Sequence, residues 1–350
     1  MKELLHLPRD WSRKMRRAGR RRLFPELDRH EASLKLPLAV LLDAIYRASP
    51  GSRVKLFRRL LPYLRAADSS ATAETCHIES LADFASGYAR LATMLGRAGK
   101  IPPPGEIEFL RTIVDRSSTQ HPGTIASDDY FFLTALVSIL APERVVEVGT
   151  LTGFSAAIIA AALRRQCTDD AVKWVDTIDL AADCFIDQTR PTGFEIAESF
   201  PELAPVIRIH TPQDSTLVSK LATPDELEIV FIDADHQHPL PLLDLLRVAP
   251  YIRPGGWVVL HDIQLGTKAR EANSRDETLR WGAAEGAELL FESWPFRKIG
   301  GGNIGAIQLP NDKSALVAFA LRLMSLPYEI KGSRAEAIHR ALHRSFAALL

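Results

Sequence analysis

The stretch Val145-Val146-Glu147-Val148-Gly149-Thr150-Leu151-Thr152-Gly153-Phe154-Ser155-Ala156 decides how this chain is read. A short β-branched run enters a turn bounded by two glycines, and an alanine- and isoleucine-rich helix opens behind it. Gly149 and Gly153 allow a tight turn and a close approach of backbone to a ligand. A second strand then ends in Thr177-Ile178-Asp179, its acid 30 positions after Gly149. An acid at that place can accept both hydroxyls of a ribose. Together these features point to a nucleoside site on an open α/β sheet.

The rest of the central region repeats the alternation. Strands are expected at 144–148, 173–178, 206–210, 228–233 and 257–261, with two more at 288–292 and 304–309. Helices are expected at 128–140, 154–165, 182–189, 216–221, 240–249 and 269–284. Short apolar strands between helices imply a mostly parallel sheet covered on both faces. Upstream, residues 23–115 carry apolar positions at helical spacing and little strand alternation. The Pro102-Pro103-Pro104 run ends one element there, and a helix is expected at 106–115. Two further helices are expected at 314–326 and 333–349. The expected fold is therefore a Rossmann-like, seven-stranded, mostly parallel α/β sheet with an N-terminal all-helical domain. The boundaries are 1–117 for that domain, 118–310 for the sheet domain and 311–350 for C-terminal helices packed on the body.

Composition narrows the class. The 350 residues are 46% hydrophobic and 25% charged, enough apolar material for a packed core. Lys+Arg and Asp+Glu both number 43, so no global field favours nucleic acid or anionic lipid. Eight basic residues between Arg9 and Arg22 are the exception, read as a solvated segment because no aromatics interleave with them. Cys76, Cys167 and Cys184 are odd in number and widely spaced, which argues against a disulfide framework or a zinc module. No apolar run has the length of a bilayer span or the form of a secretory signal, and a cytoplasmic protein is expected.

The identity of the nucleoside turns on two positions. A dinucleotide fingerprint would place a glycine where this chain has Leu151. Glu147, just before the turn, would repel a pyrophosphate and suits a ligand with an ammonium group. That combination favours S-adenosylmethionine over NAD. At this point the chain resembles the class I S-adenosylmethionine-dependent methyltransferases. It is most similar to the metal-dependent O-methyltransferases of the catechol and caffeoyl-CoA type and their relatives acting on sugars and antibiotics. The segments that carry the resemblance are VVEVGTLTGFSA, VDTIDL, TPQDSTLVSKL, IVFIDADHQH and LRVAPYIRPGGWVVLHDI, within residues 118–310.

The resemblance implies roles for named residues. Glu147 and Gly149 would line the methionine end of the cofactor, and Thr150, Gly153 and Asp233 would also bind it. Asp179 would take the ribose hydroxyls, and Gln213 and Asp214 would lie near adenine, although Asp214 could equally cap the helix that follows it. Asp233 and Asp262 would share a divalent cation, with magnesium favoured by hard oxygen ligands. Ile263 stands where catechol-type enzymes carry a third ligand and cannot coordinate. His236 occupies the place of a catalytic lysine, and a histidine can remove a hydroxyl proton near neutral pH. His236 and Asp233 are thus the expected catalytic residues, with His238 close enough to be mistaken for the base. The expected activity is O-methylation of a small hydroxylated molecule by a homodimer. N-methylation, or a non-catalytic scaffold, is the alternative.

Overall fold

The computed structural model describes residues 70–116, 121, 123–166, 173–274, 284–324 and 326–347. The basic segment 9–22, the part of the helical stretch before residue 70 and Cys167 lie outside the described residues.

Alternation along three central strands builds two apolar cores at once. In β2 (Arg144–Val148), Val145 faces one core while Val146 and Val148 face the other. The same alternation holds in β7 (Leu227–Ile232) for Ile229 and Phe231 against Val230 and Ile232, and in β8 (Ile252–His261) for Trp257 and Val259 against Val258 and Leu260. A strand apolar on both faces must be covered on both. Here α1 (Phe84–Met94), α2 (Glu106–Arg116), α3 (Ser127–Leu140) and α4 (Phe154–Arg164) contribute to the first core. The second receives α7 (Leu240–Val248), α10 (Leu316–Met324) and α11 (Gly332–Ala347). Helix α4 is apolar around its whole circumference and every residue from Phe154 to Leu163 is buried, as such a composition requires.

The main sheet has eight strands in the order β1-β9-β10-β8-β7-β2-β3-β6. Here β1 is Glu74–Thr75, β3 is Trp174–Ile178, β6 is Ile207–His210, β9 is Lys298–Gly300 and β10 is Ile304–Gln308. Strands β6, β3, β2, β7 and β8 run parallel, and β10 runs antiparallel to β8 and β9. The eighth strand comes from the region expected to be purely helical: Glu74 pairs with Ile299 and Thr75 with Gly300.

Two expected elements are corrected. Residues 182–189 are not a helix but a hairpin of β4 (Asp183–Cys184) and β5 (Asp187–Pro191), and the helix α5 (Phe194–Ser199) follows it. Asp187 turns its carboxylate onto the Thr189 amide at 3.1 Å, a local bond that competes with helix, and Pro191 cannot continue one. Residues 288–292 are not a strand but part of α9 (Gly286–Glu292). Its buried residues Gly286, Ala287, Leu290 and Phe291 recur at helical spacing. Among the described residues no helix is long and apolar enough to cross a membrane.

Glu106 opens α2 fully buried, with one oxygen 3.1 Å from the Ser138 hydroxyl and the other without a hydrogen-bond partner. Burial pushes its pKa up to about 7 against opposition from Arg165 and Ser138. An acid with a raised native pKa binds its proton more tightly folded than unfolded. Its stabilising contribution is complete below about pH 4.5, the ordinary value, and is lost as pH rises to about 7. The gap corresponds to roughly 3 kcal/mol. Glu106→Gln should therefore gain up to about that much relative to wild type between pH 5 and pH 8. Urea denaturation of both proteins at the two pH values checks this, and parallel pH profiles would refute it.

Candidate active site at the carboxyl edge of the sheet

The turn after β2 is held by one carboxylate. Asp179, at the end of β3, accepts the Thr150 amide at 2.9 Å and the Leu151 amide at 3.1 Å through Oδ2, and the Ala181 amide at 2.9 Å through Oδ1. Leu151 sits in the left-handed region at φ 48°, where a glycine would be at ease and a leucine is strained. Gly149 has φ 102°, and a Cβ there would lie 2.0 Å from the Asp233 carbonyl oxygen. The ends of β2 and β7 therefore touch backbone to backbone at this point.

Above the turn lies a cavity of about 620 Å³. Gly149, Thr150, Asp179, Gln213, Asp214 and Asp233 line it, together with His236. Leu180, Phe185, Leu240, Leu243 and Ile338 give it apolar walls, and Thr124 and Ile125 close it from the segment before α3. Gly153 starts α4, and a Cβ on it would strike the Ile196 side chain at 2.6 Å. Glu147 is placed differently from its neighbours. It is fully buried beneath the cavity, its oxygens making no hydrogen bond, and burial pushes its pKa up to about 8 despite nearby Ser155 and Thr177. At neutral pH it is largely protonated, so its charge no longer argues against a pyrophosphate; the strained Leu151 in the glycine's place does. Asp214 caps the short helical turn that follows, accepting the Thr216 amide at 3.0 Å, and pairs with Arg247 at 3.1 Å while still lining the cavity.

At the other end of the cavity imidazoles and carboxylates converge. His236 Nε2 lies 3.1 Å from Asp262 Oδ2 and 3.6 Å from Asp233 Oδ1. His261 Nδ1 lies 3.1 Å from Asp233 Oδ1, and its Nε2 lies 3.0 Å from Asp129 Oδ2. Burial alone would push the His261 pKa down, but Asp233, Asp129 and Asp262 override it and hold it well above the ordinary histidine value. Burial would likewise raise Asp233, but His261 and His236 outweigh it and hold its carboxyl below the ordinary range. His238 is separated from all this. It is buried, faces the Leu323 carbonyl at 3.1 Å, and burial drives its pKa down to about 4.

Several members of the site escaped sequence reasoning. Asp129 was visible only as one of two acids in the first turn of α3, a pattern that the helix dipole already explains. Asn303, which donates to Asp262 Oδ1 at 2.6 Å, follows the run Gly300-Gly301-Gly302, which gives no local sign of a site. Arg334, which reaches the cavity from α11 and pairs with Asp235 at 2.6 Å, is 99 positions from its partner and left no local signal.

Asp233 and Asp262 do reach the same edge, but not as an oxygen cage. Their oxygens face the imidazoles of His236 and His261 and the Asn303 amide, and Ile263 turns into the core, 4% exposed. Among the described residues no group of three or more His, Cys, Asp or Glu side chains is arranged to hold a metal ion.

Gly149→Ala should be severe because its new methyl group meets backbone on β7 rather than a side chain that can swing away. A loss of about 2–4 kcal/mol is expected from the clash and the positive φ together. Chemical denaturation measures it; a loss below 1 kcal/mol would show that the two strand ends part easily.

Residues 146–263 match the family model described as a methyltransferase domain. No curated protein matches the chain. Among solved structures, an O-methyltransferase from Bacillus cereus in complex with SAH is 18% identical, with 65% of this chain and all of that one covered at a TM-score of 0.38. The O-methyltransferase TomG from Streptomyces achromogenes, in complex with SAM, is 16% identical, with 64% and 98% covered at 0.38. A putative caffeoyl-CoA O-methyltransferase from Staphylococcus aureus is 12% identical, with 57% and 98% covered at 0.39. Likenesses this distant say nothing of this chain's substrate. Over residues 146–263, which include the glycine turn, the chain is similar to a methyltransferase domain.

Proposed function

We propose that this protein is an S-adenosylmethionine-dependent O-methyltransferase acting on a hydroxyl of a small molecule. The observation that carries the reading is one cavity with a nucleoside-type turn at one end and a carboxylate-flanked histidine at the other. The cofactor suits the residues present. Gly149 and Thr150 line the cavity at the turn, Asp179 stands beside it, and the apolar walls suit an adenine ring. A homodimer and a cytoplasmic location belong to the same reading, the former to be checked by light scattering.

When bound, S-adenosylmethionine supplies an electrophilic methyl group on a sulfonium. As the C–O bond forms and the C–S bond breaks, His236 serves as the base for the acceptor's hydroxyl proton through the ring nitrogen turned away from Asp262, while its Nε2–H faces that carboxylate. Asp262 and Asp233, at 3.1 and 3.6 Å, stabilise the imidazolium that results. Asp233 is itself held by His261, which Asp129 fixes from behind. Positioning of this kind is where most of the acceleration must arise, because the transfer needs the acceptor oxygen in line with the methyl group.

Magnesium, which the resemblance leads one to expect, does not fit. It demands near-octahedral oxygen ligands, whereas the two aspartates are engaged by nitrogen donors and the third position is the buried Ile263. No step of this mechanism passes through a metal.

Calorimetric titration should show S-adenosylmethionine binding equally well with EDTA and with magnesium. No binding in either buffer would overturn the methyltransferase reading in favour of a scaffold. Magnesium heats that vanish in Asp262→Ala would overturn the metal-free assignment. Given an acceptor, His236→Ala should lower kcat by about 10²–10⁴ while leaving cofactor affinity within about twofold. An unchanged kcat would remove His236 from the chemistry.

A further inference from the structure

The loop that carries His236 is fastened by parts of the chain far from it in sequence. The His236 carbonyl accepts the Gly286 amide at 2.8 Å, and the His238 carbonyl accepts the Glu329 amide at 3.0 Å. The His238 amide in turn donates to the Glu329 carboxylate. That same carboxylate accepts the Glu285 amide at 3.0 Å through Oε1. Glu329 therefore bridges the loop and the start of α9, whose first residue holds the His236 carbonyl. A Cβ at Gly286 would lie 2.6 Å from that carbonyl oxygen, so helix and loop meet backbone to backbone. A second tie comes from α11, where Arg334 pairs with Asp235 at 2.6 Å. The other oxygen of Asp235 accepts the Gln237 amide at 2.9 Å.

We infer that Glu329 is a positioning residue for the methyl transfer proposed above, setting the loop so that the His236 ring stands against Asp262 and Asp233, with Arg334 as its auxiliary. The inference rests on the reading of His236 as the base. Three observations carry it. The first is where the ties fall: they take up the His236 carbonyl and both polar backbone atoms of His238, while the His236 side chain lines the cavity. The second is what the aspartates leave undone. They engage the ring at Nε2, so the direction of the nitrogen that takes the proton is set by where the backbone places the root of the side chain. A misplacement of about 1 Å in such a group can cost roughly 10²-fold in rate. The third is the chemistry of the tie. A carboxylate accepts through both oxygens and makes charge-assisted bonds to amides, whereas a neutral amide side chain has a donor at one of its two ends.

This construction gives the C-terminal segment a task. Gly286, Glu329 and Arg334 all lie beyond residues 146–263, the part similar to a methyltransferase domain. Glu329 is itself anchored by its neighbours in sequence. Ile330 is buried in the core, and the Tyr328 ring stands edge-on to His238 with centroids 5.7 Å apart. The Tyr328 hydroxyl lies 2.9 Å from His339 Nδ1 on α11. The base thus belongs to the matching domain, and its support comes from the chain that follows it.

The test observes the His236 ring directly in the full chain and so needs no acceptor. Histidine rings are labelled with carbon-13, and the His236 signal is assigned by its loss in His236→Gln. Glu329→Gln keeps the shape of the side chain but turns a donor towards an amide that needs an acceptor. It should move the His236 signal by more than its line width and speed exchange of the Gly286 amide by about tenfold. Affinity for S-adenosylmethionine, measured by calorimetry, should stay within about twofold. Arg334→Ala removes an exposed pair whose loss costs the fold little, and should move the same signal less. Leu342→Ala, which loosens α11 in the core, is the control that lowers stability and should leave the signal in place. An unmoved His236 signal in Glu329→Gln would overturn the inference, as would an equal movement in Leu342→Ala. If Glu329→Gln does not fold, Arg334→Ala decides by the same criterion. These outcomes leave the cofactor reading standing, whereas failure of the wild type to bind S-adenosylmethionine overturns both.

Discussion

Three carboxylates, those of Asp129, Asp233 and Asp262, meet at the carboxyl edge of this sheet, and imidazoles balance them. His261 faces Asp233 with one ring nitrogen and Asp129 with the other. Both bonds can be made at once only when both nitrogens carry hydrogen. The ring thereby ties α3 to β7 and β8, because Asp129 belongs to the helix, Asp233 follows β7 and His261 ends β8. Removing one partner of a buried ionic group of this sort typically costs about 3–5 kcal/mol, since the remaining charge is left in a poor solvent. The orientation of Asp233, and through it the surroundings of His236, depends on this bond.

A second constraint acts from the opposite end of the nucleoside cavity. Asp179 could have been kept wholly for a ligand, yet it accepts three backbone amides in the turn and beyond. A carboxylate has about four lone-pair directions, so some capacity remains for a hydroxyl. The same group therefore shapes the turn and can recognise what lies on it. Leu151 pays in strain for the position it holds, and the Asp179 bond to its amide helps to keep it there.

Much of the architecture was legible because period and composition agreed. The strands β2, β7 and β8 carry apolar residues on both faces, and the helix after Gly153 is apolar nearly all round, so buried sheet and buried helix were the consistent reading. Where the two disagreed, the reading failed. Residues 182–189 had helical-looking spacing, but side-chain bonds at Asp187 and the ring of Pro191 favour a hairpin. Residues 288–292 are apolar at a density that suits a strand, yet their burial follows helical spacing. In the candidate site, residues at strand ends could be named from sequence because the end of a strand fixes a position in space. Asp129, Asn303 and Arg334 could not, since each joins the cluster or cavity across a long stretch of chain.

Glu147 shows why residue type alone misleads about charge. In the sequence it stands before the glycine turn as a formal anion, and an electrostatic argument against pyrophosphate follows. In the fold it is sealed between strands, in register with Thr177 and Phe231, where ionisation has no solvent to support it. The burial that shields the β2 strand thus neutralises its one acid, and ligand choice passes to shape. Leu151 blocks the glycine position that a pyrophosphate loop would need, and the apolar walls leave room for an adenine. At the far end the carboxylates of Asp233 and Asp262 face imidazoles instead, and His261 and His236 hold the Asp233 carboxyl below its ordinary range. One sheet edge therefore carries a neutral, shape-selective half and a charged, reactive half, and the boundary between them runs through the backbone contact of Gly149 with Asp233.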